Sequence, residues 1–113
     1  MFGMKRDEPG ETGEARELPT GTRRLALRFV GQVQGVGFRW TSQRVADRSG
    51  CTGWVRNEPD GSVSMELQGT DDQIASFFGN FQQAYSRFPI DYRIDEKSEI
   101  EPDPASVDFR VKF

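Results

Sequence analysis

Along this chain the apolar residues switch repeatedly between a spacing of two and a spacing near 3.6, and the order of those switches restricts the fold more than any other feature. From Arg23 onward, Leu25, Leu27 and Phe29 alternate with Arg24, Ala26 and Arg28. That pattern predicts a strand with one buried face. Phe38 to Ser49 changes period: Phe38, Ser42, Val45, Ala46 and Ser49 share a helical face, with Arg44, Asp47 and Arg48 outside it. Gly50 is the expected helix stop. Thr52 to Asn57 predicts a second strand, and Val63, Met65 and Leu67 a third. The Glu58-Pro59-Asp60-Gly61 turn between them makes the pair a hairpin.

Thr70 opens a second helix, with Gln73 placed for a capping box and Asp71 and Asp72 at the positive end of the helix dipole. Ile74, Phe77, Phe78, Phe81 and Tyr85 form its apolar stripe, read as core, and Gly79 interrupts it at a cost of about 1 kcal/mol relative to Ala. Ile90, Tyr92 and Ile94 predict a fourth strand. After the Glu101–Pro104 loop, Val107, Phe109, Val111 and Phe113 predict a last one. The expected class is α+β: a ferredoxin-like β-α-β-β-α-β arrangement with an additional C-terminal strand, its mostly antiparallel sheet carrying two helices on one face.

Residues 1–21 are rich in Gly, Pro, Glu and Thr and poor in apolar side chains, so they are expected to form a disordered tail ahead of a domain spanning 22–113. Met1 to Glu17 has no apolar run of the kind a secretory signal carries, and nowhere does an apolar run approach the ~20 residues of a membrane span. A cytoplasmic protein without a membrane partner is the resulting expectation, and a monomer is expected because no further apolar stripe is evident.

The chain contains no histidine, and Cys51 is its single cysteine. Together these exclude an intrachain disulfide, a Cys/His zinc site, a Ser-His-Asp triad and a Cys-His pair. Any chemistry falls to Arg, Lys, carboxylates, Asn, hydroxyls or main-chain amides. The net charge is −3, but Arg23, Arg24, Arg28, Arg39, Arg44, Arg48 and Arg56 face a single acid, Asp47, within residues 22–56. A local site for a small anion and a set of merely solvated side chains both fit that distribution.

The stretch between the first strand and the first helix concentrates the possibilities. Gly35 and Gly37 allow successive N–H groups to converge at a helix N-terminus, an arrangement that binds anions. Arg39 follows, with a permanently charged guanidinium that matches phosphate oxygens two at a time. Alone, such a glycine pair fits an ordinary tight turn equally well. Neither a Walker loop nor a dinucleotide fingerprint is present. In a right-handed β-α-β unit the first two strands run parallel, so Asn57, ending the second, is expected to face the loop and Arg39. Its amide either serves a ligand or braces the hairpin turn.

Gly31-Gln-Val-Gln-Gly-Val-Gly-Phe-Arg39, Ala46, Gly53-Trp-Val-Arg-Asn57, Asp60-Gly-Ser-Val63 and Gly69 together resemble the acylphosphatase family, over about residues 25–113. The resemblance implies that main-chain amides of Gln34, Gly35, Val36, Gly37 and Phe38 cradle a phosphate, that Arg39 binds it, and that Asn57 orients the attacking water. It further implies acyl phosphate substrates, inorganic phosphate as product and inhibitor, and no cofactor or metal. The chain departs from the family in the bulky Tyr85-Ser-Arg-Phe-Pro89 segment, in Glu58 directly after Asn57, and in the N-terminal extension. Two rivals share the element order or the loop: an RNA-binding module, disfavoured by net acidity and core-facing aromatics, so that no nucleic-acid partner is expected; and an accessory phosphoryl-sensing domain, disfavoured by the presence of both Arg39 and Asn57.

Overall fold

The computed structural model describes residues 17–87 and 89–113. The expectation of a disordered tail therefore lies, for residues 1–16, outside the described residues, as does Phe88 of the bulky segment. The elements run β1 (Arg23–Gly31), α1 (Phe38–Ser49), β2 (Thr52–Asn57), β3 (Val63–Gly69), α2 (Asp71–Ala84), β4 (Tyr92–Ile100) and β5 (Phe109–Lys112). They form one five-stranded sheet in the order β4-β1-β3-β2-β5. Every neighbouring pair is antiparallel except β2 with β5, which is parallel. This is the expected ferredoxin-like α+β fold with its extra strand.

The core lies between the sheet and the two helices. Leu25, Leu27 and Phe29 of β1, Val55 of β2 and Val63, Met65 and Leu67 of β3 meet Val45 and Ala46 of α1 and Ile74, Phe77 and Phe81 of α2. Helix α1 buries the five residues that its spacing predicted. Of the α2 stripe, Ile74, Phe77 and Phe81 are buried, while Phe78 and Tyr85 pack against the cluster half-buried. The capping box of Thr70 and Gln73 is present.

One part of this core bears directly on function. Phe38, the first residue of α1, stands edge-on to Phe29 and to Phe81, each with ring centroids 5.0 Å apart. Edge-to-face pairs of this kind add roughly 0.5–1.5 kcal/mol each beyond area burial. They pin the N-terminus of α1 over the end of β1, and so fix where Arg39 begins.

Two strands differ from expectation. β4 starts at Tyr92 rather than Ile90 and continues to Ile100 through Asp95, Glu96, Lys97 and Glu99. As an edge strand it has one neighbour, and charged residues on such an edge suppress unwanted strand pairing, so apolar alternation fades. Its ladder with β1 shifts register between Arg28 and Phe29, and Asp95 has no partner across. β5 is only four residues long; Val107 and Phe113 fall outside it, 56% and 89% exposed. The open face of the sheet carries Trp54, whose ring is approached by the Arg56 guanidinium and the Lys112 ammonium.

Candidate active site

β1 and β2 both run antiparallel to β3, which lies between them, so their C-terminal ends emerge at the same end of the sheet. The chain leaving β1 turns into α1 through Gly35 and Gly37, at φ 78° and 74°. A side chain in that left-handed region costs roughly 1–2 kcal/mol per residue, which glycine avoids. Helix α1 has no side-chain cap. Within the described residues, no main-chain amide from Gln34 to Trp40 donates to a protein acceptor. Their donors, and the positive end of the α1 dipole, are thus unspent at one place.

At that connection lies a cleft of about 200 Å³, lined by Val33, Gly35, Gly37, Phe38, Arg39, Trp40 and Asn57, with Gln34 and Val36 of the connection outside its lining. Arg39 and Asn57, from different elements, therefore share one cavity. Asn57 Oδ1 is itself buried, with no hydrogen-bond partner among the described residues. Buried acceptors are nearly always paired, so this oxygen is an exception within the fold. Bracing the hairpin turn, the alternative open from the sequence, is not what this oxygen does.

Arg39 differs from most of the other arginines in the basic stretch. Arg23 pairs with Asp71 and Glu99, Arg24 with Glu66, Arg28 with Asp60 and Asp95, and Arg56 with Glu58. Arg44 and Arg48 lie exposed on α1. Arg39 has no carboxylate partner among the described residues. Its Nη1 donates to the Lys112 carbonyl at 3.3 Å, and its guanidinium lies over the Phe113 ring, 5.0 Å from the centroid. One N–H is committed to the end of β5, and the rest of the five-donor fork remains available.

The residues predicted to cradle a phosphate divide by side chain. Phe38 gives its ring to the core, leaving only its amide. Gln34 turns its carboxamide away from the cleft and donates to the Glu58 and Ser62 carbonyls. Val36 is partly exposed, and its carbonyl is approached by the Tyr85 hydroxyl at 3.4 Å. The Glu58 carboxylate does not line the cleft; hydrogen bonds from Ser64 and Arg56 hold it below its usual pKa. Cys51 is buried against the Gln73 carbonyl, and burial pushes its thiol up to about 11, which leaves it unreactive.

Sequence reasoning missed Val33 and Trp40 as lining residues, and Lys112 and Phe113 as the support of Arg39. Trp40 sits next to Arg39 in the first turn of the helix, and that adjacency was the available signal. The Lys112 contact depends on β5 lying parallel beside β2, which no local pattern announces.

The fold and the cleft define an α+β domain whose first strand-to-helix connection carries unspent amides, beside a cleft lined by an arginine without a carboxylate partner among the described residues and by Asn57. A family model for acylphosphatase matches residues 25–111, and the chain belongs to that family, whose members hydrolyse acyl phosphates. A similar relative, the acylphosphatase of Oceanobacillus iheyensis, is 37% identical over 91 residues, covering 80% of this chain and 99% of the relative. The crystal structure of acylphosphatase from Bacillus subtilis superposes with a TM-score of 0.64 at 28% identity, covering 80% of this chain and 99% of that one. HypF from T. kodakarensis matches with a TM-score of 0.63 at 30% identity, but over only 12% of its own length, so there the same fold is one part of a larger chain. Among the described residues no helix is long and apolar enough to cross a membrane.

Proposed function

We propose that residues 22–113 carry out acyl phosphate hydrolysis with the phosphoryl group seated on the amides of Gln34 to Phe38 and on Arg39, and with the attacking water held by Asn57. The observation that carries this reading is that Arg39 and Asn57, from different elements, line one cleft beside a loop whose amides are unspent within the described residues. A water held in the cleft by the Asn57 side-chain amide directs a lone pair toward phosphorus.

The chemistry asks little else of the protein. An acyl phosphate is a mixed anhydride whose carboxylate leaves readily, so no strong general acid is needed, in keeping with a chain that lacks histidine. Phosphoryl transfer is governed by positioning and by stabilising charge on the equatorial oxygens. The loop amides and Arg39 supply the second, as fixed donors that need no reorganisation. Water attacks phosphorus, the bond from phosphorus to the carboxylate oxygen breaks, and a phosphoryl oxygen takes the proton from the water. The products are the carboxylate and inorganic phosphate, which competes for the same amides and guanidinium.

The test is hydrolysis of benzoyl phosphate without added metal, followed by loss of its ultraviolet absorbance. The reading expects saturable turnover inhibited competitively by inorganic phosphate. A folded chain that releases benzoate no faster than buffer would overturn it.

A further inference from the structure

We propose that Gln34 is a positioning residue for Asn57: its side chain latches the phosphate loop to the turn that follows Asn57. This rests on the proposed function and adds a part to it.

The geometry is specific. Gln34 sits on the exposed side of the loop, yet Nε2 donates to two main-chain carbonyls, Glu58 at 2.8 Å and Ser62 at 2.9 Å. An amide nitrogen carries two hydrogens, so its donor capacity is used in full. Glu58 is the residue after Asn57, and the Ser62 carbonyl also accepts from the Glu58 amide at 2.9 Å. One side chain thus ties down both legs of the turn just beyond Asn57.

The sheet does not provide this tie. β1 and β2 are not neighbours, because β3 separates them. Past the end of β1, the loop is free of the ladder that sets the spacing of the strands. With the phosphoryl group held by the loop, as in the proposed function, the span between it and the Asn57 amide depends on what bridges the two. Gln34 is a direct side-chain bridge from the loop to that turn.

The turn itself has separate support. Asp60 accepts from the Ser62 hydroxyl at 2.6 Å and from the Ser62 amide at 2.9 Å, and Arg28 of β1 donates to Asp60 at 2.8 Å. Removing the Gln34 side chain therefore leaves the turn formed and Asn57 on its strand. What changes is the distance between Asn57 and a phosphoryl group that stays with the loop amides and Arg39. In-line attack is sensitive to such shifts: a displacement near 1 Å can cost on the order of 100-fold in rate.

The experiment is a double-mutant cycle on the full chain with benzoyl phosphate, using Gln34→Ala, Asn57→Ala and their combination. Gln34→Ala is expected to lower kcat by roughly 10- to 100-fold. Its inhibition constant for inorganic phosphate should stay within about threefold of wild type, because the main-chain amides and Arg39 are kept. In the Asn57→Ala background the same substitution should change kcat by less than about threefold, since it acts through Asn57. Gln34→Glu, nearly equal in size but without the two donors, should reproduce the loss of Gln34→Ala and guards against an effect of side-chain volume. The latch is overturned if Gln34→Ala turns over at the wild-type rate, if its loss is undiminished without Asn57, or if phosphate binding weakens in step with turnover. A wild-type chain that does not hydrolyse benzoyl phosphate would overturn the proposed function instead, and the two failures are distinct.

Discussion

Two arginines fifteen residues apart in sequence separate what builds this molecule from what it uses. Arg24 lies on the sheet face opposite the helices, 5% exposed, and its donors are engaged: Nε and Nη2 reach Glu66 Oε1 at 2.9 Å, and Nη1 reaches Gln68 Oε1 at 2.9 Å. Gln68 in turn exchanges hydrogen bonds with the main chain of Asp103, fastening the crossing from β4 to β5. Three of the five Arg24 N–H groups are thus spent within the fold. At the end of β1 and β2 the opposite holds. Arg39 has one main-chain contact, the amides from Gln34 to Trp40 are unspent within the described residues, and a buried oxygen of Asn57 has no partner. Buried polar groups in folded chains are nearly always paired, so these unspent groups set this region apart from the Arg24 network.

The largest expected effects pull these two regions apart. Arg39→Ala should lower kcat/KM for benzoyl phosphate by at least about 1,000-fold, on the order of 4 kcal/mol, with little change in the denaturation midpoint. Arg24→Met should do the reverse: about 1 kcal/mol of stability lost, read by urea unfolding, from unpairing the part-buried Glu66 and removing one of the two donors to Gln68 Oε1, with the folded fraction still active. If Arg24→Met abolished turnover while leaving stability intact, the division would be wrong.

Asn57→Ala sharpens the contrast from the other side. Turnover should fall by about 100-fold while the inhibition constant for phosphate is largely spared. Stability should not fall, and a gain of up to about 1 kcal/mol is expected because an unsatisfied buried acceptor is removed. A large loss of stability would mean that this amide is structural after all.

Smaller effects test the scaffold. Gly79 lies in the interior of α2, where an added Cβ would meet nothing within 4 Å. Gly79→Ala should stabilise the fold by about 1 kcal/mol and leave turnover unchanged. Among acids, Asp60 is held below the usual carboxylate range by Ser62 and Arg28, Glu58 by Ser64 and Arg56, and Glu99 by Arg23. Each folded-state pKa is lowered, so each contribution to stability is complete above the unfolded values near 4 and is lost as pH falls below them toward the folded values. The thermal midpoint should therefore drop on acidification below about pH 4, and should drop less in Asp60→Asn, compared with that variant's own neutral-pH value.

How much of this was readable beforehand follows from where information lies in a chain. Helix α1 was legible to the residue because Phe38, Ser42, Val45, Ala46 and Ser49 repeat at helical spacing and all are buried. β4 was legible only at its start, since most of Tyr92–Ile100 is exposed edge and carries no apolar alternation. Arg39 and Asn57 could be brought together by the handedness of a β-α-β unit. The commitment of the Gln34 side chain to Glu58 and Ser62, and of Arg39 to Lys112, could not. Both depend on pairings between parts of the chain that local pattern does not connect.

The most direct test of the claim that the cleft was left open for a phosphoryl group is an amide NMR titration with inorganic phosphate. The largest shifts should fall on Gly35, Val36, Gly37, Phe38 and Arg39 together with the Asn57 side-chain amide, and they should vanish in Arg39→Ala. Saturable shifts centred instead on Arg24 and its neighbours, with the loop unmoved, would contradict the account.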